Sequence, residues 1–448
     1  MDLDTKVINK ACSGKLIRSC EEDKASNVQI DSRLAGRDSV FFALKGSTND
    51  GSDYVSQAVD KGARIVVIDS ASEEKVLRGL GDRHANVISV RDSAQALMDL
   101  AGYCYSRLSI RTAGISGSCG KTTTKELTAA ILEQMGPTCK NPGNYNSTTG
   151  LPLAMLMAQP GSMYGVFEIG IDHIGEMDRM VEALKPQSSL LTAIGPAHLG
   201  NFKDLETVAE EKTRLFAPGQ SAFAYDGIAF KKKVLSSCPD INFYGLGDIY
   251  DIQDRGLDGW SFSYQGVRIR LSLIGRHCLA DAVGAIRLAQ NMGASLEAIK
   301  TGLESVKAIN GRSRVIWTKD SCLIDDTYNA NLSSFMPILG FVQDLPYCGR
   351  KVAALGSMSE LGAATENLHI ELGKRLSRTS LDQYYLYGEA MKSAYEMLQK
   401  AHKSAYWSTE IENVKDAMMD RRKKGDLLLV KGSRVMKMER LIEAMEAV

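Results

Sequence analysis

The sequence predicts an α/β protein built in three parts, residues 1–92, 93–310 and 311–448. Three observations predict it. Short β-prone runs alternate with amphipathic helical stretches along most of the chain, the pattern of sheets covered by helices. A length of 448 residues gives room for about three cores. Residues 240–275 interrupt that alternation with polar and apolar residues in strict succession, the mark of a β insertion.

In the first part, strand Ser39–Leu44, a polar loop, a helix near Tyr54–Lys61 and strands Arg64–Ile68 and Asn86–Val90 form a small α/β unit. Ser32, Arg33, Lys45 and Gly46 place polar groups at strand ends, where a ligand could sit and where turn chemistry explains them equally well. Ser93–Leu108 reads as a helix with Ala94, Leu97, Leu100, Ala101 and Cys104 on one side.

Strand Ile110–Ile115 then runs into Gly117-Ser118-Cys119-Gly120-Lys121-Thr122-Thr123, and helix Lys121–Met135 is closed by Gly136-Pro137. Closely spaced glycines let backbone N–H groups turn inward around an anion, and the helix start adds unpaired donors. Lys121 would reach the outer phosphates of a nucleotide and the Thr122 hydroxyl would meet Mg²⁺. Gly114 lies six residues before Gly120, one more than the general pattern has, so Gly117-x-x-Gly120-Lys121-Thr122 is the part that fits. Cys119 reads as a small residue filling the loop.

Beyond the loop come the polar turn Asn141–Asn146, the apolar run Leu151–Met157, and strand Gly165–Gly170 carrying Glu168 near its end. Strand Ser189–Ile194 follows, with His198 four residues later. In a parallel sheet ligands sit beyond the carboxyl ends of strands, so the loop, Glu168 and His198 are expected on one edge. Singly, Glu168 could be a paired carboxylate and His198 a capping histidine. Lys212, in helix Leu205–Phe216 beside Glu210 and Glu211, reads on its own as part of a solvated face.

Trp260–Tyr264 and Val267–Leu273 flank Gln265-Gly266 as a hairpin with one buried face, and Gly275–Ala282 opens another helix. In the third part, strand Ser321–Ile324 leads into Asp325-Asp326-Thr327-Tyr328-Asn329-Ala330-Asn331 and a helix from Ser333. Strands at Lys351–Leu355, Gln383–Tyr387, Ser404–Trp407 and Asp426–Val430 alternate with helices, so this sheet should be mostly parallel.

The 54 basic residues balance 54 acidic ones, which argues against a nucleic-acid coat or a membrane-surface binder. No apolar run is long enough to span a bilayer, and the N-terminal stretch lacks an apolar signal core. Nine cysteines without a CxxC pair suit a reducing compartment. A cytoplasmic protein is expected.

Gly117 to Thr122, Gly143-Asn144-Tyr145-Asn146, Glu168, Ala197-His198, Lys212, Gly275-Arg276-His277, Gly311-Arg312 and Asp325 to Asn331 together resemble the Mur ligase family of peptidoglycan synthesis. Leu355 to Gly362 and Lys431-Gly432-Ser433-Arg434 carry the resemblance to the C-terminus. The Asp325–Asn331 and Leu355–Gly362 runs look like the member that adds D-alanyl-D-alanine to the UDP-N-acetylmuramoyl tripeptide. The Asp-Asn-Pro-Arg segment of the diaminopimelate-adding member is absent.

The resemblance implies an N-terminal domain for the UDP-sugar peptide, a central ATP-binding domain with a phosphate loop, and a C-terminal Rossmann-like domain. It also implies an ADP-forming ligase that makes an amide through an acyl phosphate. Lys121 and the loop N–H groups would hold the phosphates, and Thr122 a first Mg²⁺. Glu168, His198 and a carbamylated Lys212 would serve a second. Asn144, Asn146, His277, Arg312, Asp325 and Asp326 would lie around ATP; Ser32, Arg33, Lys45 and Gly46 would meet the UDP-sugar; Tyr328, Asn329 and Ala330 the incoming dipeptide. A monomer without nucleic-acid partners is expected. Cys278, Asp281 and Ser357 depart from the family pattern, which has Asn, Asn and Asp there. The rivals are a folylpolyglutamate-type amide ligase, which would begin near its phosphate loop, and a nucleotide-binding paralogue that performs no ligation.

Overall fold

The structure, a computed structural model, describes residues 3–20, 24–46, 48–197 and 199–446. The chain packs as two compact units. One comprises Met1–Ile115, Gly136–Ser189 and Ala217–Gln220, the other Ser116–Met135, Leu190–Phe216 and Ser221–Val448.

In the first unit, strands Lys15–Arg18, Asn86–Val90, Ile65–Asp69, Ser39–Phe42 and Asn27–Gln29 lie side by side in that order. All neighbours are parallel except the first pair. Asn86–Val90 and most of Ile65–Asp69 are buried on both faces, as their Val- and Ile-rich runs require of inner parallel strands. Asp92 caps helix Ser93–Tyr105 by accepting from the Ala94 and Gln95 N–H groups. One face of the sheet builds a core from Val40, Phe42, Ile65, Val67 and Ile88 with Leu97 and Leu100 of that helix. Leu153, from helix Gly150–Leu156, belongs to the same core.

A six-stranded sheet follows, ordered Asn242–Tyr244, Ser221–Tyr225, Ser188–Leu191, β1 (Arg111–Ser116), β2 (Tyr164–Glu168) and Thr138–Lys140. β1 and β2 run parallel, with Glu168 opposite Ile115.

In the second unit, α1 (Lys121–Glu133) packs on α2 (Arg276–Asn291) and on helix Leu296–Ser305. A Cβ on Gly302 would lie 2.5 Å from the Ile131 Cα, so glycine sets how closely that last helix approaches. Three antiparallel strands, Tyr250–Asp254, Trp260–Tyr264 and Val267–Leu271, form the insertion. Gln265 (φ 46°) and Gly266 (φ 84°) both sit in the left-handed region that a tight hairpin turn needs. The expected single buried face is corrected for Trp260–Tyr264, the middle strand of the three, which is buried along its whole length.

The third sheet is ordered Arg314–Trp317, β3 (Ser321–Asp326), β4 (Asp426–Lys431), Lys351–Gly356, Gln383–Tyr387 and Ala405–Ser408. It is parallel apart from its antiparallel first strand, as the alternation in sequence predicts. Among the described residues no helix is long and apolar enough to cross a membrane.

Candidate active site

The loop between β1 and α1 depends on two glycines with positive φ, Gly117 at 149° and Gly120 at 80°. Gly120 stands at the N-terminus of α1 in the left-handed region with no side-chain cap, the kind of helix start that suits an anion. The loop is tied down from behind. Ser118 N donates to Ala193 O at 2.8 Å, the Ser118 hydroxyl donates to Gly195 O at 2.9 Å, and Thr192 Oγ1 donates to Cys119 O at 2.5 Å. Lys121 Nζ donates to Gly117 O at 2.7 Å, which folds the ammonium over the loop. Burial raises the Cys119 thiol to about 11, in keeping with a filler role rather than a reactive thiolate.

A Cβ on Gly117 would fall on Thr192 Oγ1. Gly117→Ala is therefore expected to lower stability by about 2–4 kcal/mol, from backbone strain and overpacking together. Denaturant titration, with and without nucleotide, should show a lower midpoint and loss of nucleotide protection.

Arg312 reaches the same loop, its guanidinium donating to Thr122 Oγ1 at 2.7 Å and stacking 4.0 Å from the Tyr328 ring centre. The acidic pair on β3 holds the Arg312 turn in place. Asp325 accepts from Gly311 N at 2.9 Å and from the Thr327 hydroxyl at 2.7 Å, while Asp326 accepts from Ser313 N at 2.9 Å. Lys431, at the end of β4 and almost wholly buried, pairs with Asp326 at 2.7 Å and donates to Asn329 O at 2.9 Å. Asn331 caps helix Leu332–Asp344 and donates to Ser118 O at 3.2 Å. Ala330 is fixed by the Ser433 hydroxyl, which donates to its carbonyl at 3.3 Å. Lys431, Asn331 and Thr192 escape sequence reasoning as positioning groups. Asn331 and Lys431 fall inside motifs that carry the resemblance, but no positioning role could be read there; Thr192 has only its place just past a strand end as a signal.

His277 lies in the first turn of α2 with its Nδ1 buried and lacking a hydrogen-bond partner, and burial lowers its pKa. Lys212 lies near the end of helix Leu205–Thr213 and is 3% exposed, so the solvated-face reading is corrected. The adjacent Glu211 is buried as well and takes Arg214 at 3.1 Å, leaving Glu210 outside. His198 lies outside the described residues.

In the first unit, Glu168 closes β2 at 3% exposure and accepts from Asn146 Nδ2 at 2.6 Å. Asn141 grips the same residue's backbone, accepting from Glu168 N at 2.9 Å and donating to its carbonyl at 2.8 Å. Gly170 N donates to Asn146 O at 2.8 Å, so Asn146 is clamped on both sides. Asn144 is exposed on the preceding turn. The Ser32 hydroxyl donates to Gln57 at 2.6 Å, Arg33 pairs with Asp31 at 2.7 Å, and Gly46 N closes its loop onto Asn49 O at 2.8 Å, with the backbones of Lys45 and Asp50 in an antiparallel β-bridge.

Three family descriptions match in order: "Mur ligase family, catalytic domain" over residues 24–105, "Mur ligase middle domain" over 115–289, and "Mur ligase, glutamate ligase domain" over 311–434. A UDP-N-acetylmuramoyl-tripeptide--D-alanyl-D-alanine ligase from Treponema pallidum is 31% identical over 433 residues, covering 92% of each chain. The chain belongs to the Mur ligase family. Among solved structures, MurF from Acinetobacter baumannii superposes with TM-score 0.90 at 27% identity, covering 100% of this chain and 99% of that one. The MurF ligase of Thermotoga maritima in complex with ADP gives 0.80 at 28%, covering 94% and 97%. As a Mur ligase, this chain is an ATP-dependent enzyme that forms a C–N bond in peptidoglycan synthesis.

Proposed function

We propose that this Mur ligase joins D-alanyl-D-alanine to UDP-N-acetylmuramoyl tripeptide in the cytoplasm, as a monomer of three domains bounded near residues 92 and 310. The observation that carries this is end-to-end similarity to ligases of that name, in a chain whose phosphate loop presents Lys121, Thr122 and an uncapped helix start.

The chemistry needs a carboxylate and a γ-phosphate brought together, and at roughly 4 Å and an effective dielectric near 20 each like-charge pair costs about 4 kcal/mol. Lys121, Arg312 and the N–H groups of the loop supply the countercharge to the phosphates. Transfer of the γ-phosphoryl group to the tripeptide carboxylate gives an acyl phosphate. The dipeptide amine attacks its carbonyl carbon, and the tetrahedral intermediate expels phosphate. Ala330 and Asn329, locked by Ser433 and Lys431, are suited to receive the dipeptide. The unpartnered Nδ1 of His277 is suited to a nucleotide hydroxyl or ring nitrogen.

The donor set suits Mg²⁺, which prefers oxygen ligands and retains water. By the resemblance Thr122 would offer a hydroxyl to one Mg²⁺, and Glu168, oriented by Asn146, would serve a second together with His198 and Lys212 as a carbamate. Bound Mg²⁺ would neutralise phosphate charge and polarise the transferring group.

Phosphate release from ATP should require both the tripeptide nucleotide and D-alanyl-D-alanine, and the nucleotide product should gain two alanines. Release with the tripeptide alone, or no release with that pair while ATP still binds, would point to a different acceptor.

A further inference from the structure

Asp281, on α2, is 9% exposed. Its carboxylate stands directly against the phosphate loop, because a Cβ built on Gly120 would fall on Asp281 Oδ1. Among the described residues no lysine or arginine forms an ion pair with it. The groups that face it come from several elements. Arg312 is the cation among them, but its guanidinium donates to Thr122 and stacks on Tyr328. Cys119 faces it from the loop, Tyr244 from strand Asn242–Tyr244 and Cys278 from α2 itself, and burial keeps all three protonated at neutral pH. From α1 comes Thr124, whose buried hydroxyl lies close enough to favour the ionised carboxylate, as Arg312 does.

A carboxylate in this position opposes the ligand the loop is built for. A nucleotide would bring several negative charges to the loop, against which this carboxylate already stands at Gly120. Its burial leaves the carboxylate little screened by bulk water. The conflict is removed when the carboxylate is protonated, and the acid form can then donate a hydrogen bond.

We propose that Asp281 takes up one proton from solvent when a nucleoside di- or triphosphate enters the phosphate loop, so that nucleotide binding is proton-linked at this residue. The inference rests on the nucleotide reading of the loop. Burial already holds the free carboxyl up to about 8, with Arg312 pulling the other way. The linkage should therefore be visible between pH 7 and 9.5. With Mg²⁺ in excess, which lowers the terminal phosphate's pKa well below 7, ADP is fully ionised over that range and contributes no proton of its own.

The test is calorimetric titration of the whole enzyme with ADP, in two buffers of different ionisation enthalpy at each pH. Proton uptake should rise from near zero at pH 7 toward one at pH 9.5, and Kd should rise about tenfold per pH unit above the free pKa. In Asp281→Asn both dependences should vanish, with ADP bound about tenfold or more tightly than by wild type at pH 9.5. Binding without uptake, or the same uptake in Asp281→Asn, would overturn the inference while leaving the nucleotide site intact. Absence of ADP binding would overturn both. Should Asp281→Asn misfold, the wild-type titration still decides whether uptake occurs, and Asp281→Ala decides where.

Discussion

Lys212→Ala should remove turnover by about 10³-fold or more, roughly 4 kcal/mol of transition-state stabilisation, while nucleotide still binds. An ammonium has three donors and no acceptor, so it cannot ligate a cation. A lysine enclosed to 3% exposure on a helix end also loses hydration that a surface lysine keeps. Reaction of the neutral amine with CO₂ gives a carbamate, which has two oxygens and a negative charge that Mg²⁺ could use. Two measurements separate this from a merely structural role. Wild-type protein equilibrated with ¹³C-labelled CO₂ should show one carbamate carbon resonance that is missing in Lys212→Ala. Single-turnover phosphate release should fall with ATP affinity unchanged within a few fold. A variant that keeps its turnover, or a wild type that shows no such resonance, would remove the carbamate from the mechanism.

Lys121→Ala should have a comparable effect by a different route, lowering turnover by about 10³-fold and weakening ATP binding as well. The ammonium serves the triphosphate in both ground state and transition state, so both parameters should move. Stability should change little. The hydrogen bond to Gly117 O is worth about 1 kcal/mol net, and the side chain is only partly buried. Raising Mg²⁺ should not restore activity, because the lost donor is a positioned side chain and not bulk countercharge. Full rescue by Mg²⁺ would mean that Lys121 is replaceable and that the loop amides carry the site.

The strand, loop and helix around Gly120 were legible because their signals are local: two glycines, a lysine and a hydroxyl in one run of residues. The hairpin at Gln265-Gly266 was legible for the same reason. The flanking Glu210 and Glu211 point to a solvent-facing Lys212, yet Glu211 and Lys212 are both buried. Short-range charge pattern cannot distinguish a solvated face from a buried polar one. Asp325 and Asp326 were expected around ATP, and the structure shows both clamping a turn about fourteen residues upstream. That pairing is set by an antiparallel edge strand whose register only the folded sheet displays. The protonation conflict at Asp281 was equally hidden, since Gly120 and Asp281 are far apart in sequence and meet only where α2 packs on the loop.

Leu153 sits in the core of the first sheet, more than sixty residues beyond that sheet's last strand. During synthesis the first ninety residues can pair their strands, but that side of the sheet, covered in part by helix Thr5–Ala11, is not closed until helices Ser93–Tyr105 and Gly150–Leu156 have left the ribosome. At about 5–20 residues per second, that interval lasts several seconds. A nascent chain stalled in this window exposes Val40, Phe42, Val67 and Ile88 together, so the early life of this enzyme should be spent in the company of a chaperone.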